Sequence, residues 1–94
     1  MPPDPARIAD AIRALLAQRA RDASICPSEV ARRIGGADWR RAMPEVRAAA
    51  RQLAGDGVLV ITQADTVLDP ALPPIGPIRL RRGPAWRDDA ATHD

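Results

Sequence analysis

Arg40, Arg47 and Arg51 recur at intervals of seven and four residues, a spacing that stacks three guanidinium groups on one face of a helix. Guanidinium grips phosphate and pairs bidentately with guanine, so such a face carries the chemistry of nucleic-acid recognition. Arg41 lies on its flank. Arg79 and Arg81 alternate with Ile78 and Leu80, which aims both cations to one side of a strand, beside Arg82. Ser28 follows Cys26 and Pro27 at a helix start, where free amides and the helix dipole favour an anion. Arg40, Arg41, Arg47, Arg51, Arg79, Arg81 and Ser28 are therefore the candidate contacts to double-stranded DNA. Each also has an ordinary structural use. Arginines on a helix form a solvated face, and charge on an edge strand blocks sheet-to-sheet aggregation.

The rest of the inventory excludes more than it offers. Among 94 residues the chain has 14 Lys plus Arg, all of them Arg. Without Lys there is no phosphate-gripping P-loop lysine and no Schiff-base chemistry. The one Cys, Cys26, forbids an internal disulfide and a multi-cysteine zinc site, and His93 is the one histidine. With no Phe or Tyr and two Trp, there is no aromatic platform for stacking single-stranded bases. Glu29 and Glu45 fit helix capping and a first-turn charge better than an acid–base pair. Cys26 admits a redox-sensing reading, but no second thiol is present to resolve an oxidised one. A non-enzyme without metal or cofactor is expected.

Net charge is +2, yet it is unevenly distributed. Residues 1–82 carry thirteen Arg against nine acids, whereas residues 83–94 carry Arg87 against Asp88, Asp89 and Asp94. A mildly basic body with an acidic end suits a nucleic-acid binder and also many ordinary domains, and an all-arginine usage also fits a GC-rich genome. No apolar run approaches the roughly 18 residues that cross a membrane. The opening Met-Pro-Pro-Asp lacks the basic-then-apolar order of a secretory signal, so the cytoplasm is the expected compartment.

These residues need elements to hold them. Asp4-Pro5 is a favoured cap and first helical position, and Ile8, Ile12, Leu15 and Leu16 follow as one apolar stripe, predicting a helix over 5–20. Ser24-Ile25-Cys26 reads as a short extended piece. Pro27 then starts a second helix over 27–34 with Cys26 at its N-cap, Glu29 in capping position and Gly35-Gly36 at its end. Trp39, Met43, Val46, Ala50 and Leu53 form the longest stripe, with Pro44 expected to kink or break it ahead of a main helix 44–54. Gly55-Asp56-Gly57 closes that helix. Strands follow at 58–62 and 78–81, separated by a turn-rich excursion over 64–77. Residues 1–83 thus form one domain, with Ile8, Ile12, Leu15, Val30, Ile34, Trp39, Val46 and Leu53 as core and 84–94 as a frayed acidic tail. Trp86 in that tail is a candidate for docking on a partner.

The order of elements is that of a winged helix-turn-helix: an α+β fold of three helices and a small antiparallel hairpin, the wing. Three motifs in order then carry a resemblance. Ile25-Cys26-Pro27-Ser28-Glu29-Val30-Ala31-Arg32, Trp39-Arg40 with Met43-Pro44 and Val46-Arg47, and Gly76-Pro77-Ile78-Arg79-Leu80 resemble a family of short bacterial winged-helix-like proteins of unknown function, over about residues 6–82. The resemblance implies the fold and carries no activity. The expected function is DNA binding through the third helix and the wing. The alternative is a protein-interaction module on the same scaffold, without nucleic acid.

Overall fold

A computed structural model describes residues 4–87 of the chain. Helix α1, Pro5–Ala17, begins as its cap dictates, with the Asp4 carboxylate accepting from the Ala6 amide at 3.0 Å. It ends three residues short of the expected limit. The carbonyls of Leu16 and Arg19 accept from the Arg82 guanidinium at 2.9 and 3.0 Å, so that arginine supplies donors that a further helical turn would otherwise have provided. Strand β1, Ser24–Ile25, leads into α2, Pro27–Gly35, where the Glu29 carboxylate reaches back to the Cys26 amide at 2.8 Å. Gly36 stops α2 at φ +57°, a conformation that glycine adopts freely and side-chain-bearing residues resist.

A short 3-10 helix, Gly36–Asp38, runs directly into α3, Trp39–Gly55. The expected break at Pro44 does not occur. Proline near the start of a helix removes only one backbone bond, and the apolar stripe beyond it has enough packing to hold the helix together. The C-terminus of α3 is closed by paired bonds from Val58 N to Leu53 O and Gly57 N to Ala54 O, both 3.0 Å, with Gly57 at φ +80°.

The strands β2, Leu59–Gln63, β3, Thr66–Val67, and β4, Arg79–Arg82, join β1 in one antiparallel sheet of order β1-β4-β2-β3. Leu80 of β4 stands between Ile25 and Ile61 in register, and all three are buried. They meet Ile8, Ile12 and Leu16 of α1, Val30 of α2, and Val46 and Ala50 of α3 in one core. The architecture is α+β, with the helices packed on one face of the sheet. Ile34 and Trp39, expected inside, are half-buried at its margin.

Two features depart from the sequence reading. The excursion after β2 contains β3, joined through Ala64 and Asp65 at φ +49° and +69°. Left-handed φ at both central residues suits a two-residue hairpin; Asp65 tolerates it, but Ala64 does not favour it. Ala64→Asn with Asp65→Gly is expected to stabilise the fold by about 1 kcal/mol, which thermal unfolding reads as a rise of roughly 5 °C. The chain also stays attached beyond Gly83: Ala85 N donates to Gly57 O at 2.8 Å, and Trp86 packs against the core with the Arg82 guanidinium 5.1 Å from its ring centroid. Trp86 is thus half-buried rather than a free docking residue, while residues 88–94 of the expected tail lie outside the described residues.

Candidate nucleic-acid interface

A cation can grip phosphate only with N–H groups that nothing else holds. That criterion divides the candidate arginines. On α3, Arg47 and Arg51 share a face, but residues 70–76 lie across it. Arg47 donates to Gly76 O at 2.8 Å and Pro74 O at 3.3 Å; Arg51 donates to Pro70 O at 3.0 Å and Ala71 O at 2.9 Å. Gln63, from β2, completes the clamp with bonds to Ile75 O and Pro77 O at 2.6 and 3.1 Å. The face expected to read DNA therefore holds a loop over its C-terminal part.

In the sheet, Arg79 donates to the Ser24 hydroxyl and carbonyl at 2.9 and 3.0 Å, tying β4 to the edge strand β1. Arg82 follows the strand alternation to the core side and serves the end of α1, so it does not stand beside Arg79 and Arg81 as expected. Arg81 is exposed, with no partner among the described residues. At the start of α2, the Ser28 hydroxyl donates to Cys26 Sγ at 3.1 Å. Glu29 already places a carboxylate there, in turn paired with Arg19. A negative side chain thus occupies the position where a phosphate was expected.

The N-terminal end of α3 differs. Trp39 stands at the corner where the 3-10 helix meets α3, with the guanidinium of Arg32 from α2 4.6 Å from its ring centroid and that of Arg40 at 4.5 Å. Stacking on an aromatic ring engages the flat face of a guanidinium and leaves its in-plane N–H groups pointing outward. Arg33 and Arg41, the next residues along α2 and α3, are exposed, with no partner among the described residues. The exposed acid at this corner is Asp38, which makes no side-chain bond to the helix start. Two cations from two helices thus meet on one indole. Arg40 and Arg41 were legible as candidates; Arg32 and Arg33 were missed because the contact of Arg32 with Trp39 runs between helices. Their position in the last turn of α2, next to a short glycine-containing connection, was the available signal.

Among the described residues no cluster of His, Cys, Asp and Glu could hold a metal, and no helix is long and apolar enough to cross a membrane. A model of the family described as "Protein of unknown function (DUF3253)" matches residues 5–83. No curated protein matches the chain.

Proposed function

We propose, for a chain that belongs to the DUF3253 family of proteins of unknown function, that it is a winged-helix module binding double-stranded DNA through the corner between α2 and α3. The observation that carries this reading is the stacking of Arg32 and Arg40 on Trp39, with the exposed Arg33 and Arg41 next to them in sequence, all four with donors not taken up by the fold. In a helix-turn-helix the first residues of the second helix reach base edges, while the flanking helix crosses the phosphate backbone. On this reading α2, the 3-10 helix and α3 take those places, with β2 and β4 as the wing. The motifs that suggested the resemblance then build the scaffold. Cys26-Pro27-Ser28-Glu29 starts α2, Trp39-Arg40 forms the corner, and Gly76-Pro77-Ile78 ends the loop and enters β4. The module carries out no reaction. It positions itself by charge.

Binding governed by phosphate contacts depends steeply on salt. Four arginines at phosphates predict that log affinity falls against log salt with a slope of roughly −3 to −4. Fluorescence anisotropy of a mixed-sequence duplex, titrated with protein at several salt concentrations, measures it. Absence of binding at the lowest salt overturns the reading.

A further inference from the structure

We propose that the cleft between α1 and α2 binds a small amino acid with a short apolar side chain. The inference stands apart from the DNA reading and shares only Arg33 with it. The cleft exists because of what α1 presents to α2. Ala11 and Ala14 lie three residues apart, hence on one face of the helix, and a methyl group at each leaves room that longer side chains would fill. The space has a volume of about 340 Å³ and is open to solvent. Arg7, Asp10, Ala11 and Ala14 of α1 line it together with Arg33 and Ile34 of α2. Sites for small molecules begin at roughly 300 Å³.

The lining divides into a floor and a rim. Ala11 is buried, and Ala14 and Ile34 are half-buried, so the floor is apolar and accepts a short hydrocarbon group. The rim carries Arg7, Asp10 and Arg33, all exposed. None of these three side chains has a hydrogen bond or ion pair among the described residues. Arg7 and Asp10 stand three apart on one helix, a spacing at which opposite charges can pair, yet they do not. Of the charges flanking the rim along the two helices, Asp4 is bonded to the Ala6 amide, Arg32 is stacked on Trp39, and Arg13 lies outside the lining. Two guanidiniums and one carboxylate therefore line the cleft, with a surplus of one positive charge.

Those three charges select the occupant. A carboxylate suits Arg7 and Arg33, whose forked donors match its two oxygens. An anion alone leaves Asp10 repelling it, and a phosphate dianion meets that repulsion more strongly. A simple amine fails for the converse reason, because two cations oppose one acid. An ammonium group on the carbon next to the carboxylate answers Asp10 and leaves both arginines their partner. The zwitterion thus satisfies the whole rim, and its side chain rests on Ala11, Ala14 and Ile34.

The test titrates the full isotope-labelled chain with L-valine, with isovalerate (valine without its amine) and with isobutylamine (valine without its carboxylate), and follows the amide resonances. The expected result is saturable movement of the amides of residues 7–14 and 33–34 with valine, at a dissociation constant on the order of 1 mM. Isovalerate binds at least fivefold more weakly, and isobutylamine gives no saturable shift. Arg7→Ala and Arg33→Ala each weaken valine at least fivefold, and Asp10→Asn removes the preference for valine over isovalerate. Ala14→Leu fills the floor with another strong helix former and abolishes the shifts. Circular dichroism verifies that these variants keep the fold. No saturation by about 20 mM valine, shifts that survive Ala14→Leu, or equal affinity for valine and isovalerate overturns the proposal. The titration contains no nucleic acid, and Arg40→Ala with Arg41→Ala leaves it unchanged, so failure here and failure of the DNA reading are distinguishable.

Discussion

Gly83→Ala is expected to destabilise the fold by about 3 kcal/mol and to lower its melting temperature by more than 10 °C. A methyl group added at Gly83 would overlap the Gly57 carbonyl oxygen and would lie 2.9 Å from both the backbone nitrogen and the carbonyl carbon of Leu59. These are main-chain atoms of the turn that closes α3 and of the first residue of β2, so no side chain can swing aside to relieve the clash. Room would come only from moving the end of β4 away, at the expense of the 2.9 Å bond from Gly83 N to Val58 O and of the Leu59–Arg82 pairing. Gly55→Ala is the internal control. Its Cβ would meet nothing within 4 Å and the position is helical, so this substitution leaves stability unchanged or raises it by a few tenths of a kcal/mol. Urea unfolding of the two variants side by side decides the matter. Equal midpoints would mean that the approach of β4 to the α3–β2 turn is looser than described.

The second large effect separates two pairs of arginines on one helix. Arg40→Ala with Arg41→Ala is expected to weaken duplex binding roughly 10- to 100-fold at low salt and to shrink the salt slope by about 2, with the fold intact. Arg47→Ala with Arg51→Ala is expected to leave that slope in place and to loosen the loop instead, by about 1–2 kcal/mol of lost hydrogen bonding. Limited proteolysis and amide hydrogen exchange over 69–77 report that loosening. The spacing of Arg40, Arg47 and Arg51 alone predicts that all three act together. The structure divides them by where their donors go. A reduced slope in both variants would restore the original grouping, and an unchanged slope in the first would remove the corner as the site.

Much of the scaffold was legible because its signals are local. Asp4-Pro5, Pro27 with Glu29, and Gly55-Asp56-Gly57 each set a boundary through the backbone groups of their own neighbours, and Ile78-Arg79-Leu80-Arg81 announced a half-buried strand. β3 was not legible, because its hairpin turns on Ala64-Asp65 rather than on the Asn-Gly or Asp-Gly that marks such a connection. The fate of Arg47, Arg51, Arg79 and Arg82 was hidden for another reason. Apart from the Ser24 hydroxyl, their acceptors are main-chain carbonyls 19 to 66 residues away in sequence, and carbonyls carry no residue identity. One clue was nevertheless available. Prolines at 70, 73, 74 and 77 give the loop more acceptors than donors, so its carbonyls must borrow N–H groups from elsewhere or face water. Long side chains on the helix alongside are the natural lenders. Trp86 was assigned to a tail by composition, whereas a single turn after Gly83 brings its ring back to the core.

The position of β4 governs the order in which the chain can become a protein. It is the last strand in sequence, yet it lies inside the sheet, between β1 and β2. Ile25 must wait for Leu80, across a separation of 55 residues, and the end of α1 must wait for Arg82. The helices can form and touch early from local contacts, but until residues 79–82 arrive the strands β1 and β2 have no partner between them and the core has no floor. Closure of such a long loop is slow relative to helix formation, so it sets the pace of folding. During synthesis a chain that has not yet reached residue 82 leaves the facing edges of β1 and β2 unpaired, open to aggregation and proteolysis. Pulse-labelled hydrogen exchange during refolding would register this as helix amides protected first and the amides of β2 and β4 protected together, in one later step.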